Sequence, residues 1–587
     1  MREKRYQIWP GMFASLVLSA VCGILVYRVT GFTYAIADDV IMRDIASGAF
    51  TGTPDGHLIF IQYALGFAVS RLYLLNQNVD WYGFILAGVL FLGLAAVLYR
   101  GLTAAKNLWW KAAYASIVLG LFGVAMVPHA AQFEWTISAA MLGSAALYLY
   151  VTAAEKVRTA DGIFIWFLLV LTYCIRYDVF FMVLPGFGIV FLWRFLWRKE
   201  KKLSFRAGEM ILPAMVFLTV GLVMLTEHFA YPGEGWREFR RFQNARSQVY
   251  DYSEVLLYET NPAFFQELGL DEHDVRNIRH YALYLVKGMD AEMMEQVSLE
   301  AERQNSLPGG FSEKLRRGMG LTVREFTASR YFAASIPAFL FLLGVLIFAA
   351  LFEKGILFPL LFFLGAEGGL WLWLGYQGRL PERVAFSMYL VLLLGIAGAF
   401  YRLYLSAEGE SEMAVLRGWK AGKTAIQSRR RKNGMVLAVC LFCMGAAAVQ
   451  WVQVVSRSSG EPLNYQLFKE ACKNHTDHFY FIETFMAEPL GGAMVTMNGD
   501  FRQNRCLTLG DWYSISPLDK KRFESLGITD VEQTIVTDPG AYLVVWEKEE
   551  PGFYETYFTA RYPGSRMVLS EVREIEGRKY YLYQVQR

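Results

Sequence analysis

The chain has 587 residues, 55% of them apolar and 16% aromatic, with a mean hydropathy of +0.27. That is more apolar side chain than the core of a soluble protein of this length takes up, so the composition excludes an ordinary soluble globular protein and points to a polytopic membrane protein. A formal net charge of +3 is too small to draw a nucleic acid, and the informative quantity is where the basic residues fall.

In chain order, apolar runs long enough to cross about 30 Å of hydrocarbon as a helix occur near 9–30, 81–100, 111–128, 134–153, 161–176, 179–197, 209–227, 333–352, 355–376, 384–405 and 434–454. They amount to about eleven transmembrane helices. Arg2, Lys4 and Arg5 precede the first run, which lacks a small-residue cleavage site leading into soluble chain. It reads as a retained span with a cytoplasmic amino terminus. The inside loops then carry Arg100, Lys106, Lys111, Lys156, Arg158, "WRKEKKLSFR" at 197–206 and "SRRRK" at 428–432, while the short outside turns hold only Arg176, Arg379 and Arg383. "HLIFIQYALGFAVSRLYLL" at 57–75 is long enough to cross, but a crossing there would invert the charge bias of every later loop, so it is assigned to the outer interface.

The predicted fold is an α-helical polytopic membrane protein with a C-terminal extracytoplasmic α/β domain, integral to the plasma membrane. A transmembrane domain covers 1–454, with a first external loop at 31–80 and an external helical loop at 228–332. A soluble domain outside the cytoplasm covers 455–587. In the first loop Val40, Ile41 and Ile45 form a short apolar helical face that Asp38 or Asp39 can cap and Gly48 can end, followed by a turn at 52–57 and a second surface helix. The tail reads as a helix at 464–475, strands in "FYFIETF", "GAMVTM", "TIVTD", "AYLVVWEK" and "KYYLYQVQ", and a helix in "SPLDKKRFESLGI". Cys472 and Cys506 both fall in this domain, where they can either pair or stay free.

The adjacent carboxylates Asp38 and Asp39 have a bland reading, as helix caps or as half of an ion pair with Arg43. Their setting between a span and a surface helix also suits the presentation of a carboxylate to a lipid-anchored substrate. Here the sequence resembles the C-type membrane glycosyltransferases, which take sugar from a polyprenyl phosphate or diphosphate. It is most similar to the lipid A aminoarabinose transferases and protein O-mannosyltransferases, as a bacterial branch. In those families an acidic pair in the first external loop is followed by an aromatic residue and an Ile-Ala-x-Gly-like step. Here the pair is Asp38-Asp39, Met42 stands at the aromatic position, and the step is "IASG" at 45–48. The Lys-Pro-Pro-like step of those families appears as "DGHLIF", with His57 near the cationic position.

The resemblance implies an inverting transfer from a polyprenyl-linked sugar donor to an extracytoplasmic glycan, lipid or protein acceptor of the cell envelope, at the surface of the membrane lipid. Asp38 is the counterpart of the catalytic aspartate and Asp39 its neighbour. A general base must take the proton of the acceptor hydroxyl, and cations must meet the charge gathering on the leaving phosphate. For phosphate the candidates are His57, the cluster Arg237, Arg240, Arg241 and Arg246, and the turn residues Arg379 and Arg383. The cluster can equally be a solvated face balanced by Glu234 and Glu238. Arg176 and Asp178 read as a structural pair. The resemblance also leaves room for a divalent metal ion, with Asp38 and Glu134 as candidate ligands. Trp512 and Tyr513 in the tail are either core or a stacking platform for sugar rings. The alternatives are a polysaccharide polymerase or ligase, which relies on Arg and His in a large external loop, a transporter or flippase of a lipid-linked glycan, which calls for repeat-related interrupted spans, and a non-catalytic surface receptor, which binds through the tail and leaves Asp38 dispensable.

Overall fold

Backbone crossing hydrocarbon must satisfy its own hydrogen bonds, so the long apolar runs fold as helices. The computed structural model describes residues 2–587 apart from 105–106, 154–156, 197–202, 306–310, 329–335, 353, 403–422, 459–467, 469–471, 473–474, 476, 485–504, 547–550 and 576. The helices are α1 (Arg2–Thr30), α2 (Ala37–Ser47), α3 (Tyr63–Leu75), α4 (Trp81–Ala104), α5 (Leu108–Ala125), α6 (Val127–Ala131), α7 (Trp135–Val151), α8 (Thr159–Ile175), α9 (Tyr177–Leu196) and α10 (Leu203–Ala230). After them come α11 (Glu234–Ser247), α12 (Pro262–Glu267), α13 (Glu272–Arg279), α14 (Ala291–Asn305), α15 (Phe311–Ala328), α16 (Ile336–Phe352), α17 (Lys354–Tyr376), α18 (Glu382–Phe400) and α19 (Lys423–Ser458).

Eight helices are long and apolar enough to cross a membrane, within α1, α4, α5, α9, α10, α17, α18 and α19. The other three expected spans, α7, α8 and α16, are helices of 17 residues. At about 1.5 Å per residue they fall a little short of the hydrocarbon thickness. The protein is therefore a helical membrane protein with eight candidate crossings among the described residues, against about eleven expected from hydropathy.

Every residue of α7 is buried, and it forms the centre of the bundle. Two ion pairs with buried side chains tie helices together away from the first loop: Arg100 of α4 to Asp161 of α8 at 3.1 Å, and Arg194 of α9 to Glu209 of α10 at 3.2 Å.

The first loop is held by a two-residue parallel pairing of β1 (Thr33–Tyr34) with β2 (Gln132–Phe133), extended by Ala35 N–H donating to the Phe133 carbonyl at 2.8 Å. This stitch sets the start of α2 beside the start of α7. Neither acidic residue caps α2: Ile36 is its N-cap, and Asp38 and Asp39 lie in the first turn, where free N–H groups favour negative charge. Gly48 ends the helix as expected, with φ 85°. The expected surface position does not hold for α2, most of whose residues are buried, and Arg43 pairs with Asp44 at 2.8 Å and not with the acidic pair. The 57–75 run is helical only from Tyr63, giving 13 residues, too few to cross.

The 228–332 segment is helical, as expected, with its own apolar core around Phe242, Phe265 and Met294. The C-terminal domain carries a five-stranded sheet in the order β4 (Cys506–Thr508), β3 (Phe479–Ile482), β5 (Ala541–Trp546), β7 (Arg578–Gln586), β6 (Arg566–Ile575). The first three strands are parallel and the last two pairings antiparallel. Helices at Pro517–Leu526, Val531–Thr537 and Gly552–Arg561 accompany the sheet. One expected strand, "TIVTD", is instead the helix Val531–Thr537, because Asp530 caps it by accepting from Gln533 N–H at 2.7 Å. The expected helix at 464–475 falls largely, and the strand in "GAMVTM" wholly, outside the described residues. Cys472 and Cys506 are both buried and unbridged.

Candidate functional site

Successive residues on a helix diverge by about 100°, so adjacent carboxylates in the first turn of α2 meet different surroundings. Asp39 is 0% exposed and accepts from Tyr82 Oη at 2.6 Å. Burial pushes its carboxyl well above the ordinary range; the Tyr82 hydrogen bond opposes this, and the nearby Glu134 and Asp38 charges add to it. Asp38 is half-buried. Burial raises its pKa too, and the net shift stays upward although Arg383, Arg246 and Arg176 oppose it, with Asp251 adding a smaller upward push. Asp38 is thus the carboxylate whose charge is felt by three guanidinium groups, and Asp39 is the one sealed against the bundle.

The cations come from four elements distant in sequence. Arg176, in the turn between α8 and α9, pairs with Asp178 at 2.8 Å as expected, yet its guanidinium also stands 5.4 Å from the ring centre of Trp135. Arg383, in the first turn of α18, covers the same ring at 5.5 Å and reaches Glu134 Oε1 at 3.6 Å. Arg246 of α11 donates to Tyr281 Oη at 2.7 Å and lies 3.8 Å from Asp251. Arg379 meets the same Asp251 oxygen, Oδ2, at 3.1 Å and stacks over Tyr252 at 4.8 Å. Asp251 therefore links Arg246 of the 228–332 segment to the turn after α17.

Glu134 is brought in by the β1–β2 stitch. It is 2% exposed, and no hydrogen bond reaches its Oε1, since the 3.6 Å approach of Arg383 is an ion-pair distance only. Burial pushes it up to about 7, against the pull of Arg383 and with the push of the Asp38 charge. As candidate metal ligands, Asp38 and Glu134 interact electrostatically, but the charge facing Glu134 is a guanidinium. Among the described residues, the group whose ligand atoms converge within 4.8 Å is His475, Asp477 and His478, in the C-terminal domain.

The other expected phosphate ligands lie elsewhere. Arg237 pairs with Glu234 at the surface, Arg241 with Glu295 at 2.5 Å, and Arg240 donates to the Tyr231 carbonyl at 3.2 Å. This is the solvated-face reading for three of the four residues of that cluster, with Arg246 the exception. Both ring nitrogens of His57 are engaged, Nδ1 with Asp55 at 2.5 Å and Nε2 with the Ala230 carbonyl at 2.8 Å, and its ring packs against Trp236 and Tyr231. Burial disfavours its charged form, but the Asp55 and Ala230 contacts outweigh burial and raise its pKa. His57 holds the loop to the end of α10 and has no ring nitrogen left for a phosphate.

Sequence reasoning missed Tyr82, Trp135, Phe60, Asp251 and Tyr281. Tyr82 and Trp135 are the polar-tipped aromatics at the starts of two apolar runs, a position that can be read, but nothing local says which carboxylate they meet. Asp251 lies in a single turn of π-helix, Gln248–Tyr252, a feature that recurs at functional sites and has no sequence signature of its own. No protein-family model, curated protein or solved structure matches the chain.

Proposed function

We propose that the protein is a membrane glycosyltransferase that moves a sugar from a polyprenyl phosphate or diphosphate donor to an acceptor on the side of the membrane facing the first loop. The observation that carries the reading is the division of labour in the acidic pair: Asp38 is half-buried and feels the charges of Arg383, Arg246 and Arg176, whereas Asp39 is sealed against Tyr82. In this reading Asp38 takes the proton of the acceptor hydroxyl as the oxygen attacks the anomeric carbon. A pKa raised by burial makes it a stronger base. The bond from the anomeric carbon to phosphate breaks, and the electron pair leaves on a phosphate oxygen whose charge Arg383, Arg176 and Arg246 stabilise. Arg379 acts through Asp251, which it shares with Arg246. The arginines supply the positive charge, and no step runs through a metal ion.

The test is turnover of a panel of polyprenyl phosphosugars by the purified full chain carrying Asp38→Asn or Asp39→Asn. Asp38→Asn is expected to lower kcat by about 10²–10⁴, the range for loss of a general base. Asp39→Asn, which keeps an acceptor for Tyr82 and adds no charge, retains most of the rate. Equal activity of the two variants sinks the assignment.

A further inference from the structure

Among the described residues, three that are not glycine have a left-handed backbone: Ile59 (φ 66°), Tyr281 (φ 60°) and Ile515 (φ 61°). They belong to the first loop, the 228–332 segment and the C-terminal domain, and residues 510–515 join them. Ile59 is the middle of a three-residue turn closed by Phe60 N–H donating to the Leu58 carbonyl at 2.7 Å, which a β-branched residue rarely adopts. The turn aims Phe60, whose ring stacks on Trp135 at 5.7 Å and meets Trp512 at 4.7 Å. Gly510 runs so close to Tyr281 that a Cβ there would lie 2.4 Å from the Tyr281 carbonyl oxygen. Ile515 closes the turn that carries Trp512. Strain of this kind persists only where the surroundings enforce it, and it gathers at ligand clamps and switches.

A second observation is independent of the backbone. The indole N–H groups of Trp135, 1% exposed, and Trp512, 4% exposed, have no hydrogen-bond partner. Buried donors nearly always have one. Here both belong to rings that pack against Phe60, and the guanidinium groups of Arg176 and Arg383 stand over Phe60 at 6.0 Å and over Trp135 at 5.5 Å. Aromatic faces take the C–H surface of a sugar ring, and the open N–H groups take its oxygens. A phosphate would be drawn to the arginines, and a prenyl chain offers no acceptor.

We propose that residues 510–515 form a wall of the site, and that Trp512, with Phe60 and Trp135, binds the carbohydrate of a glycan acceptor, its indole N–H donating to a sugar oxygen. The inference rests on the glycosyltransferase reading and makes the C-terminal domain the acceptor-recognition half of the site. Because Trp135 and Trp512 are buried, binding requires this wall to part from the first loop. The rim contacts that hold it there are Arg522 over Phe50 at 4.5 Å, Phe50 against Tyr513 at 4.8 Å and Lys521 to Asp55 at 3.4 Å.

The experiment uses the full chain in lipid nanodiscs and two probes: an array of lipid-free microbial envelope oligosaccharides, and decaprenyl phosphate followed by thermal shift. The native chain is expected to retain at least one glycan. Trp512→Phe, which keeps the ring and removes the N–H, should weaken that binding about tenfold and leave both the unfolding temperature and the decaprenyl phosphate shift unchanged. Arg383→Gln should do the reverse. If Trp512→Phe unfolds early, Phe60→Leu reads the same wall from the other side. No retained glycan on the native chain, or unchanged glycan binding in Trp512→Phe or in Phe60→Leu, overturns the proposal. A decaprenyl phosphate shift that ignores Arg383 counts against the donor reading alone.

Discussion

At the residue scale, the site separates three carboxyl groups by what surrounds them. Burial brings the titration of Glu134 near neutrality, at about 7. Above that pH it adds a negative charge beside Asp38 and draws on Arg383; below it, on the proposed reading, Arg383 is left to the donor phosphate. The rate is therefore expected to fall as pH rises through about 7, an inflection that Glu134→Gln should abolish in a kcat/KM profile. A profile identical in the variant would remove Glu134 from the electrostatics of the site. Linkage runs the same way for stability. A carboxyl raised in the folded state contributes fully below its unfolded value near 4.5, and the contribution is lost as pH rises through about 7. Asp55 has the opposite sign. Burial pushes up on it, but the His57 hydrogen bonds win and hold it at about 2, so its contribution is present above its unfolded value and lost only as pH falls through about 2.

At the element scale, α2 carries the acidic pair and depends on how it ends. Gly48 and Gly52 both have φ near 85°, but a Cβ on Gly48 would meet Thr53 and Pro54 at 2.6 Å, whereas Gly52 has open space. Gly52→Ala is expected to cost about 1 kcal/mol, the lower end of the price of a left-handed residue, and Gly48→Ala clearly more, in thermal unfolding of the nanodisc-held protein. Equal losses would mean that the 53–54 turn yields freely. The same element shows what the sequence carries and what it does not. Its apolar face and its Gly48 stop were legible because they depend on neighbours in the chain. The burial of Arg43 with Asp44, and the meeting of Glu134 with Arg383, depend on partners set by packing. The Val531–Thr537 helix was misread as a strand because its β-branched residues favour extended chain, and a cap at Asp530 with burial of Ile535 overrides that preference. Arg246 could not be told apart from Arg237 and Arg241, since nothing in the local run says which face of α11 turns inward.

At the scale of the whole molecule, the bundle was legible from hydropathy, although the number of crossings was not, because helices of 17 residues lie at the margin of what spans a bilayer. The orientation is a proposal with a direct check. Leu299, 66% exposed on α14, and Leu108, 82% exposed at the start of α5, lie on opposite sides in the charge-based topology. A cysteine at 299 should react with a membrane-impermeant thiol reagent on intact cells, and one at 108 only after the cells are broken. The reverse result would turn the protein over and place the acidic pair in the cytoplasm.

The two-residue stitch between Thr33–Tyr34 and Gln132–Phe133 also bears on the order of synthesis. Asp38 leaves the ribosome early, whereas Arg383 follows about 345 residues later (38 to 383). At about 5–20 residues per second the interval is on the order of 20–70 s. Through that time the nascent chain holds its aspartates without the guanidinium that completes their surroundings. On the proposed reading, a half-made polypeptide in the insertion machinery is then chemically silent, and reactivity toward lipid-borne sugar waits for Arg383 and, for a glycan acceptor, for Trp512 as well.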